Sequence, residues 1–418
     1  MRLKVSGIGK IGNSEIEMNG ITVIAGDNNT GKSTFGKALY CMFNVFNKAE
    51  LMIRNERINH IEDIIHNSEK FPYYTESSLS KLVKEMMESR KVKLSEEDIQ
   101  KSIIDAITIL ERQPKETIDP GLVDKIKGSF AIRDEDIQKK LIDRYFKIEF
   151  QDSINHLNRF NSKGNICIII QRKDVYVNIQ NNECNDFSDD IGICHKAIYI
   201  DTPLVLDDIR ETRIREQLQH FPEMVYNHRQ VLKRRLAKRY SNNNVLEEVM
   251  INEKISDILL KLSFIANGEF KEDNRGLMFM ENGLNKPVPL SGISTGIKTF
   301  LIIKRLLELG EIKERDVLIL DEPEIHLHPS WQLQFAELLV LLQKEFNLTI
   351  LLNTHSPYFL YAIEAYGKKH DIENRLNFYL AENDGDISNV REVTDSIDTI
   401  YKQLAAPFQK LEDLIYED

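Results

Sequence analysis

The chain has 418 residues, 55 of them Lys or Arg and 66 Asp or Glu, for a net charge of −11; this excludes a surface coated with phosphate-binding cations while leaving room for a local basic face. The length suffices for one large core plus an appended region, no stretch approaches the ~20 uninterrupted apolar residues of a membrane span, and Met1-Arg2-Leu3-Lys4 leads into a strand, not a signal peptide. Cys41, Cys167, Cys184 and Cys194 lack C-x-x-C spacing, so reduced thiols in a cytoplasmic protein are expected, with neither a disulfide framework nor a structural zinc site.

The first lobe, residues 1–46, is predicted to open with strands at Leu3–Ile8 and Ile21–Ala25. The second strand runs into Gly26-Asp27-Asn28-Asn29-Thr30-Gly31-Lys32-Ser33-Thr34, which fits the P-loop pattern G-x-x-x-x-G-K-[ST]. After it, Phe35, Ala38, Leu39, Met42, Phe43 and Phe46 recur at helical spacing. Strand, glycine loop and helix together aim backbone N–H groups and a helix N-terminus at a phosphate chain. Lys32 is expected to reach the β- and γ-phosphates, and Ser33 to coordinate the magnesium that bridges them.

Residues 47–147 read as a charged helical insertion. Leu79, Leu82, Val83 and Met86 suggest one helix, and Ser95-Glu96-Glu97-Asp98 reads as a capping box ahead of Ile99, Ile103, Ile107 and Leu110. Ile137, Leu141 and Tyr145 continue on another. From Phe146 strand-like alternation is expected, so 148–204 should rejoin the main sheet, with Cys167–Ile170 and Val175–Ile179 flanking a turn and Ala197–Ile200 ending at Asp201-Thr202-Pro203. Residues 205–266 read as a second helical segment. There Arg229, Lys233, Arg234, Arg235, Lys238 and Arg239 surround an apolar stripe of Val225, Leu232, Leu236 and Tyr240. Such a helix is either a solvated face balancing nearby acids or a contact for DNA, RNA or an acidic partner.

Residues 267–418 carry the remaining chemistry. Leu290-Ser291-Gly292-Ile293-Ser294-Thr295-Gly296-Ile297-Lys298-Thr299 is a small-residue turn opening an apolar helix; Ser294 and Gly296 could bind a second anion there, or Ser294 could be an ordinary N-cap. Val317–Leu320 runs straight into Asp321-Glu322, as a buried strand ending at a reaction centre would. Asp321 is placed to hold the magnesium shell and Glu322 to polarise the attacking water as general base. The alternating Glu324, His326 and His328 could be metal ligands, although Pro329 suits the first turn of a helix that His328 would cap. A third apolar strand, Leu348–Asn353, ends at Thr354-His355-Ser356-Pro357 and places His355 beside the γ-phosphate.

Ser294-Thr295-Gly296 with Lys298 resembles the degenerate signature motif of ABC-type ATPases. The motif series is similar to the branch containing SMC, RecF and OLD-type ATPases, and the Asn-Asn-Thr-Gly-Lys-Ser and Asp-Glu-Pro-Glu-Ile-His-Leu-His-Pro runs look like those of stand-alone Septu-type defence ATPases. The resemblance covers roughly residues 1–45 and 275–365. It implies an α/β ABC-type P-loop head, a mixed sheet flanked by helices with helical insertions, that binds ATP and Mg2+ through Gly26, Asn28, Asn29, Thr30, Gly31, Lys32, Ser33 and Thr34. It further implies a head-to-tail homodimer or higher oligomer in which Ser294 and Gly296 of one copy cap the other's nucleotide. The 47–147 insertion falls where relatives carry an arm or dimerisation element. The strand-to-loop switch at Asp201 could occupy the Q-loop position, where the family's glutamine is missing; either Asp201 substitutes as a magnesium or water contact or the sensing loop lies elsewhere. The stretch after His355 is expected to finish the sheet, not to supply a TOPRIM nuclease.

The function so implied is an ATPase controlling a separately encoded effector, a nuclease, in bacterial antiphage defence. Two alternatives stand beside it: a RecF-like repair or recombination clamp that binds DNA through the basic helix, and a nucleotide-gated scaffold with little hydrolysis.

Overall fold

The computed structural model describes residues 1–47, 49–67, 120–155, 163–209, 226–238, 245–273 and 276–416. They fall into two compact units, one formed by Met1–Asn47 with Asp143–Asp418 and the other by Lys48–Ile142. In the first unit β1 (Arg2–Ile8), β2 (Ile11–Glu17) and β3 (Ile21–Gly26) lead through the glycine loop into α1 (Lys32–Phe46). The smaller unit contains α2 (Ala49–His66), α3 (Pro120–Ala131) and the start of α4 (Asp134–Phe150). Within it the buried guanidinium of Arg57 donates to Ser129 O at 2.5 Å and pairs with Asp134, tying α2 to the α3–α4 turn. The helices expected around Leu79–Met86 and Ile99–Leu110 lie outside the described residues.

The first unit continues through β4 (Lys163–Ile170), β5 (Lys173–Gln180), β6 (Glu183–Asp189) and β7 (Ala197–Ile200). A 3-10 turn (Pro203–Asp208), α5 (His228–Leu236) and α6 (Val245–Ile265) follow. Then come β8 (Gly268–Asp273), β9 (Gly276–Glu281), β10 (Val288–Pro289), α7 (Thr295–Glu308), β11 (Val317–Asp321) and α8 (Pro329–Phe346). The chain closes with β12 (Thr349–Thr354), α9 (Pro357–Lys369), β13 (Leu376–Asp384), β14 (Ile387–Glu392) and α10 (Asp398–Tyr416). One eleven-stranded mixed sheet runs β6-β5-β4-β1-β2-β14-β13-β3-β12-β11-β7, and β10-β9-β8 form a second, three-stranded sheet. The fold class is the one the sequence predicts.

The sheet has two characters. From β13 through β3, β12 and β11 to β7 all neighbours are parallel, and β3 is buried along its whole length, which is why these strands read as unbroken apolar runs. The β2-β1-β4-β5-β6 wing is antiparallel. Its hairpins turn at Gln171-Arg172 (φ 49° and 67°) and Asn181-Asn182 (φ 54° and 62°), paired positive values that suit two-residue hairpin turns. Strand β2 was not expected, because Ile11-Gly12-Asn13-Ser14-Glu15-Ile16-Glu17 is half polar; its alternating burial is that of a strand covered on one face. The expected change to strand at Phe146 is corrected. Helix α4 runs on to Phe150, with Phe146, Glu149 and Phe150 buried, because helical spacing carries these side chains inward.

Alternate residues of the parallel strands, Val23, Leu318, Leu320, Ile350 and Leu352, pack with Phe300, Phe335 and Phe359 of α7, α8 and α9. On the opposite face α1 comes so close that a Cβ at Gly36 would lie 3.1 Å from Ile319 Cγ2 and 3.2 Å from the Tyr199 ring. Phe335 sits centrally, edge-on to Phe300 at 5.2 Å and stacked on Phe359 at 6.2 Å, with no exposed surface. Phe335→Ala is therefore expected to lower unfolding free energy by about 3–5 kcal/mol, read from urea denaturation; a loss under about 1 kcal/mol would contradict this packing.

Candidate nucleotide site

The register of the parallel strands assembles the site. Asp321 lies opposite Asn353, and Asn353 and Thr354 lie opposite Ile24 and Ala25. The glycine loop, Asp321-Glu322 and Thr354-His355 thus share the carboxyl edge of the sheet, where open α/β sheets bind ligands. At the loop's start Gly26 has φ 147°, and a Cβ there would sit 2.3 Å from Ala381 O. At its end Gly31 has φ 77°, with Ile11 Cδ1 2.6 Å from the place of a Cβ. Asn28, Asn29 and Ser33 are exposed, whereas Thr30 and Lys32 are buried.

Distant elements brace this loop. Lys10 Nζ donates to Asn29 O at 2.9 Å, Ser388 Oγ to Thr30 O at 2.7 Å, and Gln403 Nε2 to Asp27 Oδ2 at 3.3 Å. Gly31 caps α1 without a side-chain bond, and the first turn has no acid, an arrangement that suits an anion at the helix N-terminus, although Thr34 N–H donates to Gly31 O at 3.0 Å. Lys32 Nζ donates to Gly26 O (3.0 Å) and Asp27 O (2.7 Å). Burial lowers its pKa, and the charges of Glu322, Asp321, Asp27 and Glu324 only partly restore it.

Around Asp321 both carboxylate oxygens are held. Tyr199 OH donates to Oδ2 at 3.1 Å and Asn353 Nδ2 to Oδ1 at 2.9 Å. Glu322 adopts φ 49°, a strained conformation for a residue with a side chain, and its N–H donates to Asn353 O at 2.9 Å. Its carboxylate meets His355 Nε2 at 2.8 Å. Burial and the nearby Lys32 charge keep the His355 pKa below its ordinary value. Glu324 turns inward, taking hydrogen bonds from Thr354 Oγ1 and from His355 N at 3.0 Å, and burial raises its pKa.

The other expected residues lie as follows. Ser294 is the exposed N-cap of α7 and makes no side-chain cap bond, and Gly296 is packed so tightly that a Cβ would meet His326 O at 2.9 Å and the Trp331 ring at 3.1 Å. Lys298 is buried and pairs with Asp207 at 2.5 Å. His328 caps α8, accepting from Ser330 N. A cavity of about 40 Å³ between β7, β11 and α7 is lined by Asp201, Thr299, Asp321, Glu322 and His326, among others. Among the described residues no cluster of three or more His, Cys, Asp or Glu could hold a metal. Ser33 and Asp321, a hydroxyl and a carboxylate beside other acids, suit a Mg2+ that arrives with phosphate oxygens and water.

The basic helix α5 is engaged inside the chain. Arg229 pairs with Asp201 at 2.6 Å, Lys233 with Asp208, and Lys238 with Glu311 at 2.6 Å. Arg235 donates to Ala197 O at 3.1 Å, and the Arg234 guanidinium lies 4.5 Å from the Tyr226 ring centroid. Leu232 and Leu236 are buried as the stripe requires; Val225, Arg239 and Tyr240 lie outside the described residues.

A family model described as an AAA ATPase domain matches residues 1–360. The chain belongs to this family. Among solved structures, the SMC head domain from Thermotoga maritima is 12% identical, with 94% of this chain and 98% of that one covered at a TM-score of 0.37. An SMC head bound to the C-terminal winged-helix domain of ScpA is 13% identical, covering 95% and 98%, with a TM-score of 0.43. The SMC head with an extended coiled coil, bound to the C-terminal domain of ScpA derived from Pyrococcus furiosus, is 12% identical, covering 96% and 98%, with a TM-score of 0.40. Among the described residues no helix is long and apolar enough to cross a membrane.

Sequence reasoning about this AAA ATPase domain missed Tyr199 and Asn353, and it raised Glu324 only as a metal ligand, whereas its carboxylate is taken up by Thr354 and His355 N–H. Asn353 was signalled by a lone polar residue ending an apolar strand. Tyr199 had only its hydroxyl in an aliphatic strand to mark it. Beneath it lies an ionic cluster: His228 Nδ1 meets Glu149 Oε1 at 2.6 Å and Nε2 meets Asp201 Oδ2 at 3.0 Å, while the ring stacks on Tyr199 at 4.2 Å. Burial would lower the His228 pKa, but hydrogen bonds to Asp201 and Glu149 and their charges raise it to about 9.

The groups facing His228 are Glu149, Asp201, Arg229 and the Tyr40 and Tyr199 rings. With the folded pKa above the unfolded value of 6.5, this stabilisation is complete below that value and disappears as pH rises through about 9. The shift corresponds to about 3 kcal/mol. Denaturation from about pH 6 to pH 10 should show the wild type losing an advantage over His228→Gln across that window; a constant difference would contradict the assignment.

Proposed function

We propose that this AAA ATPase domain binds ATP with Mg2+ at the glycine loop and hydrolyses it, and that two copies close head-to-tail around two nucleotides. The observation that carries the reading is the Glu322–His355 pair at 2.8 Å, on the sheet edge shared with Asp321 and the Lys32 loop. A carboxylate, an imidazole and a buried ammonium at one strand edge form an acid–base set suited to an in-line attack on a phosphoryl group.

Backbone N–H groups from Gly26 to Thr34 and the α1 N-terminus cradle the phosphates, and Lys32 exchanges its loop carbonyls for β- and γ-phosphate oxygens. Ser33 and Asp321 hold the magnesium. Magnesium bound with the nucleotide neutralises the charge that builds up between the β- and γ-phosphates. Glu322 takes a proton from the attacking water as its oxygen bonds to the γ-phosphorus, and ADP leaves with the bridging oxygen. His355 orients Glu322 before the step and contacts the γ-phosphate. In the dimer, Ser294 and Gly296 of one copy cap the ATP of the other, so loss of phosphate loosens the pair.

The output is control of a separately encoded effector, a nuclease, in bacterial antiphage defence. This rests on the Asn-Asn-Thr-Gly-Lys-Ser and Asp-Glu-Pro-Glu-Ile-His-Leu-His-Pro runs and their resemblance to stand-alone defence ATPases. The pairing of Arg229, Lys233 and Lys238 with Asp201, Asp208 and Glu311 speaks against a DNA clamp built on α5.

Glu322→Gln is expected to cut turnover by about 10²–10⁴-fold while retaining ATP binding and accumulating an ATP-bound dimer in light-scattering chromatography. Unchanged phosphate release would remove Glu322 as base and favour the nucleotide-gated scaffold. Expressed with its neighbouring genes and purified in ATP and Mg2+, the chain should recover a stoichiometric nuclease by mass spectrometry. Recovery with DNA and no protein partner would replace the effector reading with the clamp.

A further inference from the structure

Strand β7 reads Ala197-Ile198-Tyr199-Ile200 and is buried throughout. Packing against α1 and β11 needs an aromatic ring at position 199, which phenylalanine would supply without a polar atom to satisfy. The hydroxyl is the exception in the strand, and it donates to Asp321 Oδ2 at 3.1 Å. The ring is 2% exposed and confined on several sides. Gly36 admits it because a Cβ there would lie 3.2 Å from both Tyr199 Cζ and its hydroxyl oxygen. Tyr40 meets it at 6.1 Å between centroids, and the His228 ring stacks on it at 4.2 Å and 26°.

His228 cannot move independently of the fold. Its two ring nitrogens are held by Glu149 and Asp201, and its backbone N–H donates to Glu149 Oε2 at 3.0 Å. A rigid path therefore runs from α4 and the end of β7 through an imidazole and a phenol to one oxygen of Asp321, while Asn353 holds the other at 2.9 Å.

We propose that Tyr199 is a positioning residue for Asp321: together with Asn353 it fixes the plane of the carboxylate so that its free lone pairs face a phosphate-borne divalent cation. The inference rests on the assignment of Asp321 to the magnesium shell. A carboxylate bound through one oxygen only would rotate about its terminal torsion, which is broad. Two donors on opposite oxygens remove that freedom before the metal arrives, and loss of such outer partners commonly costs 10–100-fold in metal affinity.

The test titrates a fluorescent ATP analogue against the full-length chain in EDTA and across a Mg2+ series, with Mn2+ binding to the chain–nucleotide complex followed by electron paramagnetic resonance. Tyr199→Phe keeps the ring and its packing. It should leave affinity in EDTA unchanged and raise the metal concentration for half-maximal effect by about tenfold, in the direction of Asp321→Asn but short of it. Tyr199→para-aminophenylalanine restores a donor on the same ring and should return the half-saturation towards wild type; it also serves should the phenylalanine variant not fold. Tyr199→Phe indistinguishable from wild type, while Asp321→Asn abolishes the metal effect, overturns the role of Tyr199 and spares the parent reading. Nucleotide binding that ignores Mg2+ in the wild type overturns both.

Discussion

The parallel pairing of β3, β12 and β11 is the constraint on which the rest depends. Pairing is set by backbone hydrogen bonds with a side-chain period of two, so a slip of one residue would turn Asp321 and Asn353 to opposite faces. The observed register, Asp321 opposite Asn353 and Thr354 opposite Ala25, is enforced by the apolar residues on both faces: Leu318, Leu320, Ile350 and Leu352 against the α7–α9 aromatics, and Ile319 against α1. Core packing and site geometry are thus one problem. Any change that relaxes the Phe300–Phe335–Phe359 stack acts on the alignment of the carboxyl ends as well as on stability.

That alignment creates an electrostatic imbalance. Asp27, Asp321, Glu322 and Glu324 all act on the buried ammonium of Lys32. The structure partners each of these carboxylates differently. Glu324 is buried and capped by Thr354 and His355 N–H, Glu322 has His355, Asp321 has two neutral donors, and Asp27 is exposed with Gln403 beside it. Neutral donors fix Asp321 without cancelling its charge, which a basic partner would do. Under the proposed function, that retained charge is what a divalent cation carried in by phosphate would meet.

Much of this was legible in the sequence where local chemistry sufficed. The glycine loop, the apolar runs ending in Asp321-Glu322 and Thr354-His355, and the helix cap at His328 are short-range patterns. What sequence hid depends on contacts far along the chain. Ser388 supports Thr30 across the sheet, Gln403 reaches Asp27 from the last helix, and Tyr199 reaches Asp321 only because β7 adds to the edge of β11. No period or motif marks such pairings. Strand β2 and the extension of α4 to Phe150 were obscured for the same reason, since Ser14 and Glu149 are polar residues buried by partners that only tertiary structure supplies.

In helix α5 the charge pattern takes the first of its two readings, cations that balance nearby acids. Its cations look like a nucleic-acid face, yet Arg229 closes on Asp201, Lys233 on Asp208 and Lys238 on Glu311, and Arg235 seals the start of β7 through Ala197 O. Asp201 is held to a pKa of about 2: burial opposes its ionisation, and His228 and Arg229 overcome it. Glu311 is likewise near 2, with burial outweighed by Lys196 and Lys238. These pairs pin both ends of β7 and the turn after it. Because β7 carries Tyr199, the pairs that α5 makes at both ends of β7 hold the strand whose hydroxyl reaches Asp321.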